Sequence, residues 1–274
     1  MNLGLTSYAC AWAIGIPGFP PPAAPMHASA LLRRAVHHGL RVVQLCDNLP
    51  LTTLPPAALR DLAAEARDLG LTLELGGRGL TADSLEQHLA MCAALDTRLL
   101  RFVIDGPDFH PSLADTARLL RSRLPALDAA GLTLAIENHD RFRAAELARL
   151  IEEIDSPRVG ICLDTANSLG AGEDFATVLD ALAPHTVNFH VKDVVVARFP
   201  HNHGFTVKGC AAGRGVVGPA LPAALDRLRA LGRCESVLIE TWAFPDADTA
   251  ETITREDTMI ADGAAFLRPL LARS

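Results

Sequence analysis

The sequence predicts an α/β fold, a single (β/α)8 barrel spanning residues 1–274. Three observations carry that prediction. A short apolar run followed by a helical pattern recurs eight times, the count expected of an eightfold barrel, which typically takes about 250 residues. Ionisable residues gather at the C-terminal ends of the strands in the second half, the end at which a barrel presents its chemistry. No G-x-G-x-x-G follows the first strand, which disfavours the doubly wound open sheet that shares the alternation.

The elements follow in order. Leu3 to Ala9 is the first strand. Residues 16–25 contain too much proline for helix or strand and form a loop long enough to be a lid or a binding loop. Ala28 to His38 is the first helix, with Leu31, Leu32 and Ala35 at helical spacing. Val42 to Asp47 is the second strand, and its helix covers Pro56 to Leu69. Leu71 to Leu75 is the third strand, ended by Gly76 and Gly77, and Asp83 caps the helix that runs to Leu95. Leu99 to Ile104 is followed by a helix from Ser112 to Ala130. Thr133 to Glu137 is followed by Ala144 to Ile154, and Val159 to Leu163 by Phe175 to Leu182. Thr186 to Val191 is the seventh strand, and a long loop over about 194–218 leads to the helix Leu221 to Leu231. Ser236 to Ile239 and a final helix from Thr252 to Leu271 complete the alternation.

Composition excludes several classes of function. At 49% apolar residues the chain can bury a large core without staples. A net charge of −7 and the absence of a basic block argue against a nucleic-acid partner. No apolar run approaches the ~20 residues that span a bilayer, so no membrane partner is expected. Six cysteines without a CxxC pair suggest buried thiols in a reducing, cytoplasmic compartment.

The chemistry is concentrated at four strand ends. Thr133-Leu-Ala-Ile-Glu137 runs into Asn138-His139-Asp140, and Val159-Gly-Ile-Cys-Leu closes on Asp164. Val187-Asn-Phe leads to His190, Val191 and Lys192, and Val237-Leu-Ile leads to Glu240. In a barrel, Glu137, Asp164, His190 and Glu240 line one quadrant of the mouth. Three carboxylates and an imidazole make a hard shell for one divalent cation, Mn²⁺ or Mg²⁺ first, with Co²⁺ or Zn²⁺ as alternatives. Without a cation the carboxylates would repel one another. A dication beside a carbonyl lowers the cost of forming an enediolate, so isomerisation, epimerisation and decarboxylation of a 3-keto acid all remain open.

The order Glu, Asp, His, Glu on strands five to eight resembles the xylose-isomerase-like TIM barrel superfamily of sugar phosphate isomerases and epimerases. The resemblance implies a metal site at Glu137, Asp164, His190 and Glu240, with Glu137 and Glu240 doubling as the catalytic acid/base pair on a small sugar. It also makes Arg198, after the strand-seven histidine, a candidate to hold the substrate. Ketose 3-epimerases carry a histidine three residues after the aspartate, where this chain has Asn167. Ile136-Glu-Asn-His-Asp140, Leu163-Asp-Thr-Ala-Asn167 and the His203-Gly-Phe segment are similar to a branch that includes 3-oxo-isoapionate decarboxylases. Isomerase or epimerase chemistry stands first on this reading and carboxy-lyase chemistry second, with a non-catalytic binding module as the rival class.

Further substrate-binding candidates are His139, Asn167, Lys192, His201 and His203. His139 shares a face with Glu137, and Lys192 with His190. The basic connection Arg198, His201, His203, Lys208 suits a carboxylate or phosphate. Gly213-Arg-Gly-Val-Val-Gly218 is either an anion-binding loop or a tight turn. Glu74 and Arg78 are placed around the end of strand three, on the opposite wall, and Asp193 is expected to pair on the outer side. Trp242 is a candidate floor for a sugar. Assembly into a homo-oligomer is left open.

Overall fold

The computed structural model describes residues 1–245 and 248–273. Eight parallel strands close into a barrel: β1 (Asn2–Thr6), β2 (Val42–Leu45), β3 (Thr72–Arg78), β4 (Leu99–Val103), β5 (Thr133–Glu137), β6 (Val159–Asp164), β7 (Thr186–Val191) and β10 (Ser236–Ile239). The ring runs β1-β10-β7-β6-β5-β4-β3-β2. The short helix α1 (Ala11–Ile14) follows β1. Around the ring lie α2 (Ala28–His37), α3 (Pro56–Asp68), α4 (Ala82–Leu95), α5 (Leu113–Ala130), α6 (Ala144–Ile154), α7 (Phe175–Leu182), α8 (Leu221–Leu231) and α9 (Thr249–Leu271). Between β7 and α8 stands an antiparallel hairpin, β8 (Asp193–Arg198) and β9 (Phe205–Cys210). No helix among the described residues is long and apolar enough to cross a membrane.

The strands are buried on both faces and therefore read as apolar runs. Helices turn an apolar stripe onto them, as α6 does with Leu147, Leu150, Ile151 and Ile154. Inside the barrel the packing is polar at one level. Gln44, Glu74, Asn188 and Ser236 are buried and bond across the ring. Asn188 Nδ2 donates to Glu74 Oε2 at 3.0 Å and to Ser236 Oγ at 2.7 Å, and Gln44 Nε2 donates to Glu74 Oε2 at 3.0 Å. Burial pushes the Glu74 carboxyl up, against the bonds from Ser236 and Gln44. Glu74 thus lies within the barrel below its mouth, not on the wall of the mouth.

Four other expectations are corrected. The first strand ends at Thr6, and Ser7–Cys10 turn as a 3-10 helix. β3 continues through Gly76 and Gly77 to Arg78. These glycines provide close packing instead of a break: a Cβ on Gly77 would lie 2.7 Å from both His88 Nε2 and Phe102 Cζ. Thr81, not Asp83, caps α4, accepting the Ser84 amide at 3.0 Å, while Asp83 complements the dipole of the first turn. The stretch 194–218 is no irregular loop, because the hairpin pairs Val196 with Val207 and Arg198 with Phe205.

Candidate metal centre at the barrel mouth

Side chains alternate along a strand, so every second residue of each barrel strand points inward. On β5 that parity ends at Glu137, on β6 at Asp164, and on β7 it passes through Asn188 and His190 to Lys192. Register sets Asp164 beside His190. The residue after β10, Glu240, donates its amide to Val191 O at 3.1 Å, so its carboxylate joins the same layer. Glu137, Asp164, His190 and Glu240 are all buried, and one ligand atom from each lies within 4.8 Å of the others. His190 Nδ1 is 3.1 Å from Glu240 Oε2 and 3.6 Å from Glu137 Oε1.

Each of the three carboxylates is oriented by a neighbour. Asp164 Oδ1 accepts the amides of Ala166 and Asn167, both at 2.8 Å, so one oxygen caps the next turn while Oδ2 faces the cluster. Asn167 Nδ2 donates to Glu137 Oε1 at 2.9 Å, and Thr6 Oγ1 to Glu240 Oε2 at 2.9 Å. Asn138 ties β5 to β6, donating to Asp164 O and accepting the Asp164 amide at 2.7 Å. Such outer partners are what fixes a ligand's direction.

Two buried cations enter the cluster. Lys192 Nζ lies 2.7 Å from Glu240 Oε1 and 3.0 Å from Asp164 Oδ2, and donates to Asn167 Oδ1 at 2.9 Å. Arg101 pairs through Nε with Glu137 Oε2, and its Nη1 lies 3.3 Å from Asp47 Oδ1. Burial opposes charge on Glu137, yet Arg101 holds its carboxyl down at about 2. Burial likewise opposes charge on Glu240, and Lys192 with His190 holds it well below the carboxylate range. Burial wins at Asp164, which is pushed up despite Lys192. Burial disfavours charge on Lys192 too, but Asp164 and Glu240 raise it.

The donor set fits a divalent cation. Both ring nitrogens of His190 are buried and make no hydrogen bond among the described residues, while Glu137 Oε2 and Asp164 Oδ2 meet only the charges of Arg101 and Lys192. Buried polar atoms are rarely left so, and here they belong to one hard-ligand cluster.

The other sequence candidates divide into two groups. Asn167 and Lys192 come together with the four, and His139 stands two residues past Glu137. His139 Nδ1 bonds Asp140 Oδ1 at 2.8 Å, and its Nε2 lies 3.3 Å from Arg78 Nη2. Arg198, His201 and His203 sit instead on the exposed tip of the hairpin. Arg198 donates to Asn202 O and lies over the Phe205 ring, while His201 stacks between Phe199 and His203. Pairing of β8 with β9 carries Arg198 five residues, ~17 Å of strand, beyond Asp193.

The loop Gly213–Gly218 does bind an anion, and that anion is Asp193. Its carboxylate accepts the amides of Val194, Gly213, Gly215, Val217 and Gly218 at 2.8–3.1 Å. Asp193 is therefore buried on this loop and does not pair on the outer side. Arg101 and Asp47 escaped the sequence reading. A lone arginine at an inward position of Leu99-Leu-Arg-Phe-Val was the available signal. Beside the cluster opens a cavity of about 540 Å³ walled by Tyr8, Trp12, Pro17, Asp47, Asn48 and Trp242. The proline-rich stretch thus contributes wall, and the Trp242 ring lies 4.7 Å from Lys192 Nζ.

Comparison with known proteins agrees with the barrel fold. The family described as xylose isomerase-like TIM barrel matches residues 32–270. The chain is 33% identical over 269 residues to the 3-oxo-isoapionate decarboxylase of Pectobacterium atrosepticum, covering 97% of this chain and 95% of that one. Among solved structures, D-psicose 3-epimerase from Clostridium cellulolyticum H10 with D-tagatose superposes with a TM-score of 0.71 at 14% identity, over 99% and 98% of the two chains. A Mycobacterium smegmatis protein of this barrel type in complex with magnesium gives 0.69 at 12% identity, over 97% of each. At those identities the structures speak for the fold alone. The barrel, the match over residues 32–270 and the near full-length relative together make this chain a member of the xylose isomerase-like TIM barrel family.

Proposed function

We propose that this protein decarboxylates a small 3-keto sugar acid of the 3-oxo-isoapionate kind with the help of one divalent cation, Mn²⁺ or Mg²⁺. The observation that carries the reading is Lys192: an ammonium seated among Asp164, Glu240 and Asn167 in a buried four-ligand cluster. The full-length relative that is a decarboxylase supports it. A cation held by Glu137, Asp164, His190 and Glu240 supplies Lewis-acid polarisation of the substrate carbonyl.

The chain's own residues supply the remainder. The bond between the carboxylate carbon and its neighbour breaks, CO₂ leaves, and the electron pair passes into the ketone to give an enediolate. Lys192, held as an ammonium by Asp164 and Glu240, delivers a proton to the carbon that lost CO₂. Arg101 keeps Glu137 ionised, and Thr6 and Asn167 hold Glu240 and Glu137 in direction. Trp242 offers an apolar face beside Lys192 for the sugar carbons.

A second reading is isomerisation or epimerisation of a neutral ketose. It is favoured by the placement of two ionised carboxylates, Glu137 and Glu240, close to His190 Nδ1, where they would serve as an acid/base pair. One assay separates the two. Mn²⁺-loaded protein is incubated in D₂O with a 3-keto sugar acid and, separately, with a panel of ketoses. CO₂ release with one deuterium in the product supports decarboxylation. Deuterium in a ketose without CO₂ from any acid transfers the assignment to the epimerase reading.

A further inference from the structure

The barrel mouth is electrically divided. Acids stand at the ends of β5 and β6 and just after β10, and arginines at β3 and β4. Most of the cations there are already engaged by neighbouring acceptors. Lys192 has three N–H groups, and three acceptors lie at 2.7–3.0 Å. Arg101 is buried and shared between Glu137 and Asp47. Arg141 is taken by Asp105 and Pro111 O.

Arg78 differs. It is the last residue of β3, inward by parity with Glu74 and Gly76, and its side chain is 36% exposed. The nearest acid, Asp47, lies 3.7 Å from its Nε, and Asp47 is already engaged by Arg101 at 3.3 Å and Tyr8 Oη at 3.0 Å. Its contact with His139 Nε2 uses one N–H. Because His139 Nδ1 donates to Asp140, Nε2 accepts, so His139 aims the guanidinium and leaves most of its five donors open. His139 stands two residues past Glu137, just beyond the end of β5. Arg78 is thus joined to the cluster by a chain of contacts, from Asp47 to Arg101 to Glu137.

We propose that Arg78, presented by His139, anchors the carboxylate of an acidic substrate. The planar fork of a guanidinium matches a carboxylate in two parallel bonds. This assignment rests on the keto-acid reading above. It carries its own kinetic signature. Decarboxylation drains charge out of the carboxylate, so an ion pair to it is weaker in the transition state than in the bound acid. Such a contact sets affinity and orientation and does not lower the chemical barrier.

The test compares wild type, Arg78→Ala and Arg78→Lys, all loaded with Mn²⁺. Steady-state CO₂ release from a 3-keto sugar acid gives KM and kcat. Calorimetric binding of a 3-hydroxy sugar acid, which cannot decarboxylate, and of the matching neutral alditol gives affinity apart from turnover. Arg78→Ala is expected to raise KM and weaken the hydroxy acid by roughly 10- to 100-fold, the usual range for a charge-assisted hydrogen bond. The alditol should move by less than about two-fold and kcat by less than about three-fold, with Arg78→Lys recovering only part of the loss. Equal effects on acid and alditol, or an unchanged KM, would overturn the assignment. Arg78-dependent binding of the hydroxy acid without CO₂ release in wild type would support the anchor and remove the decarboxylase reading instead.

Discussion

Arg101 shows most directly how single residues make this site possible. A carboxylate as buried as Glu137 is costly to ionise, and Arg101 offsets that cost at close range. Arg101→Met should therefore destabilise the metal-free protein by about 3–5 kcal/mol, the usual cost of breaking a buried pair, measured by urea unfolding in EDTA. A loss under 1 kcal/mol would show that Glu137 is not supported by this pair. Glu256 makes a second case at this scale. Its carboxylate, on α9, accepts the amides of Trp12 at 2.8 Å and Ala13 at 3.1 Å, and so holds α1. Burial outweighs those bonds and pushes its carboxyl up to about 7 from 4.5. The folded state thus binds this proton more tightly than the unfolded chain. The associated stability is complete below about pH 4.5 and is lost as pH rises through about 7, on the order of 3 kcal/mol in all. Glu256→Gln should flatten that part of the stability–pH curve, and an unchanged slope would place the carboxyl in a more solvated setting.

At the scale of elements, the hairpin of β8 and β9 is tied to the barrel by Asp193. Five amides converge on its carboxylate. Asp193→Ala leaves them without an acceptor at about 1–3 kcal/mol for each that water cannot reach. Loss of at least ~3 kcal/mol and faster proteolysis within residues 195–215 are expected, with Asp193→Asn partly restoring both; a neutral alanine variant would contradict the anchoring role. The sequence showed both halves of this arrangement and not their union. The glycine pattern of 213–218 left an anion-binding loop open beside a tight turn, but the anion twenty residues upstream becomes its occupant only after the hairpin folds back. The hairpin itself was hidden because Phe199-Pro-His-Asn-His-Gly204 suggested a continuous binding loop. In fact Asn202 and Gly204, at φ +63° and +95°, make the turn that reverses the chain.

Across the whole molecule, legibility followed the range of the interactions. All eight barrel strands were readable because each is a local apolar run. The four residues of the cluster were readable because each stands at or near the end of such a run. The inner polar layer of Gln44, Glu74, Asn188 and Ser236 was not, since it bonds residues 30 to 162 apart that meet only once the ring closes. Arg101 and Asp47 were missed for the same reason: their partners lie on other strands. Closure is also what gives the cluster its shape, since Glu240 reaches His190 through the β10–β7 seam. The most direct measurement is a titration of EDTA-stripped protein with Mn²⁺, followed by electron paramagnetic resonance. One saturable ion per chain is expected, weakened at least 100-fold in His190→Ala and Asp164→Ala variants that retain the wild-type circular dichroism. Binding unaltered by both substitutions, or no saturable binding in wild type, would contradict a metal centre at the mouth of this barrel.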